Sequence, residues 1–294
     1  MLKVVLDGRR EGIDIEKPDF NVDDALSNAP DTFITPPKEE ELVELLTHPE
    51  LGVALTRKYS PTANSFIGKA VTNGNYNIVK CTLKRGGSQI NLNDEIWQGT
   101  PLQIAVEDRK GAEMVDLLIQ NGASVDPDIL CQVVVSGDVD TIKVLLRAGA
   151  DIEATSTLGK TLLTEAANCR NPKMVQLLIE AGANICAKNE YGMTALHLAV
   201  RSGGEIHGRI DAICQLLVPG APIDETDSYG RTPLFWAAVD QRNDPIALLL
   251  VSRGADRHAK NQLGETPLEL AERNGVCHSI VMWCKDPILS GGIQ

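Results

Sequence analysis

Tyr191-Gly192-Met193-Thr194-Ala195-Leu196-His197-Leu198-Ala199 decides the fold, because the chain repeats it. It returns as Tyr229-Gly230-Arg231-Thr232-Pro233-Leu234-Phe235-Trp236-Ala237 and as Leu263-Gly264-Glu265-Thr266-Pro267-Leu268-Glu269-Leu270-Ala271. A fourth copy, Leu158-Gly159-Lys160-Thr161-Leu162-Leu163-Thr164-Glu165-Ala166, keeps the frame without the proline. A fifth, Thr100-Pro101-Leu102-Gln103-Ile104-Ala105, follows Trp97-Gln98-Gly99. The threonines at 100, 161, 194, 232 and 266 leave gaps of 61, 33, 38 and 34. A degenerate copy over Asp128-Ile129-Leu130-Cys131-Gln132-Val133 divides the long gap into 28 and 33, and another, Ser65 to Ala70, lies 35 before Thr100.

Each copy reads as a helix start. A threonine hydroxyl caps free backbone N–H groups, and a proline at the next position loses nothing where the N–H has no helical partner. Leu196 and Ala199 share one helical face, with the alanine small enough for a close neighbour. Apolar runs such as Val175-Gln176-Leu177-Leu178-Ile179 predict a second helix in each unit: Ile78 to Lys84, Met114 to Gln120, Thr141 to Arg147, Met174 to Glu180, Ile210 to Leu217 and Pro245 to Val251. Most of these end in a Gly-Ala step, at 122, 149, 182, 220 and 254. The glycine there supplies the positive φ that stops a helix.

The motif and its period near 33 residues resemble the ankyrin repeat, whose signature is Thr-Pro-Leu-His-x-Ala. The resemblance implies an all-α ankyrin-repeat solenoid: stacked helix-turn-helix units with short β-hairpin fingers, neighbours sharing one core. It covers residues 61–285 as about seven units. Residues 1–60 read either as one degenerate unit with part of another before it or as a divergent cap, and residues 286–294 as a tail. Val281, Met282 and Trp283 are expected in a helix that covers the last core, within a final unit of helices Pro267 to Asn274 and His278 to Lys285.

Three departures from the pattern are legible. The second unit carries one extra residue, since Ala105 to Gly122 is 17 where Ala166 to Gly182 is 16. The interval after Thr100 is about five residues short, so the finger over Gly122 to Asp128 is expected to be missing, with Pro127-Asp128 starting the next helix directly. Ala199 to Gly220 is 21, five longer than its predecessor, which predicts a flexible loop over Arg201-Ser202-Gly203-Gly204-Glu205-Ile206-His207-Gly208-Arg209.

Composition narrows the function. The chain has 294 residues and a formal charge of −12, with 40 acidic against 28 basic side chains, which makes nucleic acid and anionic membrane poor partners. No apolar run reaches the roughly 18 residues of a membrane span, and the start, Met1 to Leu6 followed by Asp7-Gly8-Arg9-Arg10, lacks a signal peptide's apolar length. Seven scattered cysteines and no Asn-x-Ser/Thr site suit a reducing compartment, cytoplasmic or nuclear.

Catalytic motifs are thin: no Gly-rich phosphate loop, nucleophile elbow or His-Glu-x-x-His appears. Cys277-His278 with Cys284 matches no zinc spacing. His197 fills the signature's histidine position, and the resemblance implies structural hydrogen bonds to the neighbouring hairpin. No cofactor or metal is expected.

Two columns of side chains carry the expected site. Three residues before each signature threonine, at the finger tips, stand Trp97, Leu158, Tyr191, Tyr229 and Leu263. Large amphipathic rings in a row are the material of interface hot spots, although a ring there also has the next finger to pack on. Immediately before each signature alanine stand Lys69, Ile104, Gln132, Glu165, Leu198, Trp236 and Leu270. Gln132, Glu165, Phe235 and Trp236 are expected to complete a polar and aromatic wall. What the family implies is recognition of a partner protein or peptide in a concave groove, without catalysis. The alternative is a small-molecule binder or enzyme near Gln132, Glu165 and Trp236, with Glu165 as a general acid or base whose pKa apolar neighbours raise.

Overall fold

The computed structural model describes residues 67–273 apart from 69, 87–89, 96–98 and 157–158. The expectations for residues 1–60, for the second helix of the last unit, for the tail and for Cys277, His278 and Cys284 lie outside that range. The chain divides into two compact units, 1–124 and 125–294.

In the first unit, helix α1 spans Tyr76–Gly86, α2 Pro101–Glu107 and α3 Ala112–Gln120. Thr100 and Gln103 cap α2 reciprocally: Thr100 Oγ1 accepts from Gln103 N at 3.3 Å, and Gln103 Oε1 accepts from Thr100 N at 2.8 Å. The proline beside the cap costs no hydrogen bond. The extra residue between α2 and α3 falls after Arg109, whose φ of 52° turns the chain before Gly111 opens α3. The far end of α3 is fastened by Asn93, whose Oδ1 accepts from Ser124 N at 2.7 Å while its Nδ2 donates to Gly122 O at 3.2 Å.

In the second unit the helices come in pairs. They are α4 Pro127–Ser136 with α5 Val139–Arg147, α6 Leu162–Asn168 with α7 Pro172–Glu180, and α8 Ala195–Arg201 with α9 Ile206–Leu217. Then follow α10 Pro233–Ala237 with α11 Asp244–Ser252, and α12 Pro267–Arg273. First helices pack in file, α4 on α6, α6 on α8, α8 on α10 and α10 on α12, and second helices form a parallel file, with α5 on α7 and α7 on α9. The core between the files is the expected one: Leu163, Ala166, Leu178, Leu196, Ala199, Leu216, Leu234, Ala237 and Leu250 are buried. Burying each of these leucines stabilises by about 1.5–3 kcal/mol, and no unit provides that alone.

Second helices start about two residues before the apolar run, because caps precede it. Asp138 accepts from Thr141 N at 3.1 Å, and Asn171 from Met174 N at 3.1 Å. Between residues 122 and 126 no turn of a finger is made, as expected. The core register there follows the sequence reading, with Ile129, Leu130, Val133 and Val134 buried. Helix α4 begins directly at Pro127, as expected, because Asp126 caps it by accepting from Ile129 N at 2.8 Å.

The five-residue insertion is not the flexible loop expected. Three of its residues lengthen α9 to twelve residues against nine in α7, leaving a short link over 202–205. That link is fastened twice. Arg170, from the preceding repeat, donates to Gly203 O, and buried Arg209 donates to the carbonyls of Ala199 and Val200 at the end of α8.

Candidate functional site

Three successive fingers of the second unit are built by one device. Asn189, Asp227 and Asn261 each stand five residues before a signature threonine, and each turns its side-chain oxygen back on its own hairpin. Asn189 Oδ1 accepts from Tyr191 N and Met193 N, both at 3.0 Å. Asp227 Oδ1 accepts from Tyr229 N at 2.8 Å and Arg231 N at 3.0 Å. Asn261 Oδ1 accepts from Leu263 N at 2.9 Å and Glu265 N at 3.0 Å. Short polar side chains favour such turns because they offer the backbone a local acceptor. The β-hairpin reduces to these turns: the described residues contain no strand but isolated bridge residues such as the pair Thr155 and Thr161.

Adjacent fingers are bonded through their tips. Ser228 N donates to Tyr191 O at 2.9 Å, and Gln262 N to Tyr229 O at 3.1 Å. Gly192 sits at φ 71° where a Cβ would stand 2.8 Å from Ser228 N, so this contact requires glycine. A second set of bonds joins finger bases: Glu153 Oε1 accepts from Asn184 N at 2.7 Å, and Asp224 Oδ1 from Asp256 N at 2.8 Å.

With backbones bonded, the tips turn their side chains out. Tyr191 is 53% exposed, Tyr229 57% and Leu263 78%, a column of large apolar groups on three successive fingers. Trp97 and Leu158, the other expected members, lie outside the described residues. Trp236 is half-buried and faces the column's last two members across a hollow of about 280 Å³ lined also by Arg231, Val239, Leu270 and Arg273.

Phe235 lines the hollow as its floor and, being fully buried, belongs to the core as well. It occupies the position that His197 holds one repeat earlier. There, Thr194 N lies 3.2 Å and Thr194 Oγ1 2.9 Å from His197 Nδ1, while His197 Nε2 lies 3.0 Å from Arg231 O. That set requires Nδ1 to accept and Nε2–H to donate, and burial holds the imidazole below its usual pKa, hence neutral. Phe235 has no such nitrogen, and Thr232 Oγ1 is left buried without a hydrogen-bond partner.

Asp227, Arg231 and Arg201 were not among the sequence candidates. Asp227 Oδ2 accepts from Arg231 Nε at 2.9 Å and from Trp236 Nε1 at 3.1 Å, so one fully buried carboxylate sets both the finger and the ring. The Arg231 guanidinium then lies 4.1 Å from the Trp236 ring centroid and 4.6 Å from that of Tyr229. The Arg201 guanidinium lies 5.1 Å from the Trp236 ring. The available signal was periodic, an Asn or Asp five residues before Thr194, Thr232 and Thr266.

Glu165 is 7% exposed, and Lys160 Nζ lies 3.0 Å from its Oε2. The Cys169 thiol lies 3.9 Å from its Oε1. Burial first, and then the Glu165 charge, push the thiols of Cys131 and Cys169 up. Gln132 is half-buried in the corresponding position of α4. No group of metal-ligating side chains occurs among the described residues, and no helix there is long and apolar enough to cross a membrane.

Models of ankyrin repeats match residues 98–132, 130–207 and 205–283. Among curated proteins, a B-cell lymphoma 3 protein homolog of Mus musculus is 32% identical over 142 residues, 47% of this chain and 30% of its own length. The nuclear factor NF-kappa-B p105 subunit of Gallus gallus is 32% identical over 182 residues, 58% of this chain and 18% of that protein. A putative ankyrin repeat protein of Rickettsia bellii is 31% identical over 135 residues, 45% of this chain and 71% of that protein. The chain thus spans less than a third of the first two.

Proposed function

The chain belongs to the ankyrin repeat family, and from that premise we propose that it is a partner-binding module that grips another protein along its finger tips and the hollow beside Trp236. Ankyrin arrays are generally protein-interaction modules. The observation that carries the reading is the exposed column Tyr191, Tyr229 and Leu263. Its backbones are bonded finger to finger, so the apolar surface is presented on a fixed support and costs little ordering on binding. Exposed aromatic rings beside a half-buried tryptophan are the usual anchors of such contacts. The reading takes the module to work inside the cell, as a scaffold or recruiter.

The test is binding by the full chain before and after Tyr191→Ala with Tyr229→Ala, using a pull-down from the native extract after both proteins are shown to melt alike. Capture of the same proteins by both refutes the reading. Loss in the double variant alone supports it and identifies the partner. Catalysis at Glu165 has no comparable support, since the Lys160 pair leaves that carboxylate committed within its own repeat.

A further inference from the structure

The hollow beside Trp236 also specifies the chemistry of what it takes. Resting on the finger-tip reading above, we propose that it receives a segment of a partner protein that carries one large apolar side chain with an aspartate or glutamate next to it.

Two observations converge on this. The first is size and lining. At about 280 Å³, the hollow falls at the lower edge of small-molecule pockets, which run to roughly 300–1,000 Å³, and it has the scale of one side chain. Its lining is largely apolar, with Tyr229, Trp236, Val239, Leu263 and Leu270 around it.

The second observation is the charge at its rim. Arg231 and Arg273 line the hollow, and each is paired within the fold, Arg231 with Asp227 at 2.9 Å and Arg273 with Glu265. Those two cations are neutralised within the fold. Arg201 is exposed and stands over the Trp236 ring, and among the described residues no carboxylate lies within ion-pair distance of it. It touches the ring, and its Nη1 donates weakly to Met193 Sδ at 3.9 Å. A guanidinium pre-ordered on an aromatic face, with one N–H on a weak sulfur acceptor and the others open to a ligand, suits a carboxylate in two-point contact.

The surrounding charge sharpens the specificity. The chain's formal charge is −12, so a run of acidic residues is repelled overall, whereas one carboxylate placed at Arg201 is attracted locally. The match is therefore one acid beside one anchor, not an acidic tract.

The experiment is selection of a random peptide library on the full chain, wild type and variants, each first shown to melt as wild type does. The expected enrichment is a large aromatic or aliphatic residue with Asp or Glu within two positions. Replacing that acid by its amide should weaken the synthetic peptide about tenfold on wild type and leave affinity for Arg201→Ala unchanged, the size of one charge-assisted contact. On Arg201→Glu the selected neighbour should switch to Lys or Arg. Enriched peptides that need Tyr229 and Trp236 but show no acidic preference overturn this inference and leave the finger-tip reading standing. If wild type enriches nothing beyond a Tyr229→Ala, Trp236→Ala control, both fall.

Discussion

His197 Nε2 lies 3.0 Å from the carbonyl oxygen of Arg231, thirty-four residues on, so one buried imidazole joins a signature helix to the finger of the next repeat. The bond requires the neutral ring, and burial lowers the folded-state pKa. The unfolded ring titrates near its ordinary value of about 6.5. Below that pH the unfolded chain binds a proton that the folded chain refuses, so stability falls as pH drops through the folded pKa and is fully present above about 6.5. Urea unfolding between pH 5 and 8 should show this acid-side loss, and His197→Phe should remove its contribution. An unchanged slope in the variant would place the titration elsewhere.

The next repeat has already made that substitution. Phe235 stands where His197 does, and Thr232 Oγ1 is buried without a partner. Thr232→Val removes an unsatisfied hydroxyl of the same shape and should be neutral or stabilising, by up to about 1 kcal/mol. Thr194→Val breaks a satisfied set with the imidazole and should cost about 1–2 kcal/mol. Paired denaturation curves for the two variants test the contrast. Equal costs would mean that the Thr232 hydroxyl is satisfied in solution.

How much of this was legible follows from what each device rests on. Helix starts and core positions were readable at Thr100, Leu196 and Ala199 because cap chemistry and a period near 33 residues act through local sequence. The missing finger before Pro127 was readable by subtraction. The link at 202–205 was misread as loose, because its order comes from Arg170 and Arg209, whose reach no local window reveals. That Phe235 meets the hollow only as a buried floor was not readable, because the turn of its ring into the core depends on packing between repeats. Arg201 was invisible for a related reason: its role depends on Trp236, a full repeat away.

The link itself makes a prediction. Arg209 is buried and donates to two carbonyls at the end of α8, a place where a cation also meets the helix dipole favourably. Arg209→Ala should cost about 2 kcal/mol. Gly204 sits at φ 99° with its missing Cβ directed at the Arg170 guanidinium, so Gly204→Ala should add a cost of about 1 kcal/mol or more. Hydrogen exchange over 199–209 should rise in both variants. Unchanged exchange would return the segment to the loose loop that its glycines suggest.

Cysteine reactivity tests the surroundings of Glu165. Cys186 is exposed, while Cys131 and Cys169 are half-buried with burial and the Glu165 charge keeping their thiols protonated. Thiolate is the reactive form. Alkylation near pH 8, followed site by site in mass spectrometry, should modify Cys186 well before the other two. Glu165→Gln should speed Cys131 and Cys169 by removing a nearby negative charge, provided the variant melts as wild type does.

Asp227 gives the sharpest test of how the site is supported. Its Oδ1 closes the finger, and its Oδ2 holds Arg231 and Trp236. Asp227→Asn keeps an acceptor for the two backbone N–H groups but removes the charge that balances a half-buried guanidinium. Breaking a buried pair on one side costs about 3–5 kcal/mol, and the part-exposed Arg231 brings the expected loss down to about 2 kcal/mol. The finger should persist, while Trp236 loses its anchor and its fluorescence shifts toward that of a solvated indole. Asp227→Ala removes both functions and should cost more, with the finger's amide protection lost as well. Equal losses in the two variants would mean that the charge contributes nothing and that the finger alone positions the ring.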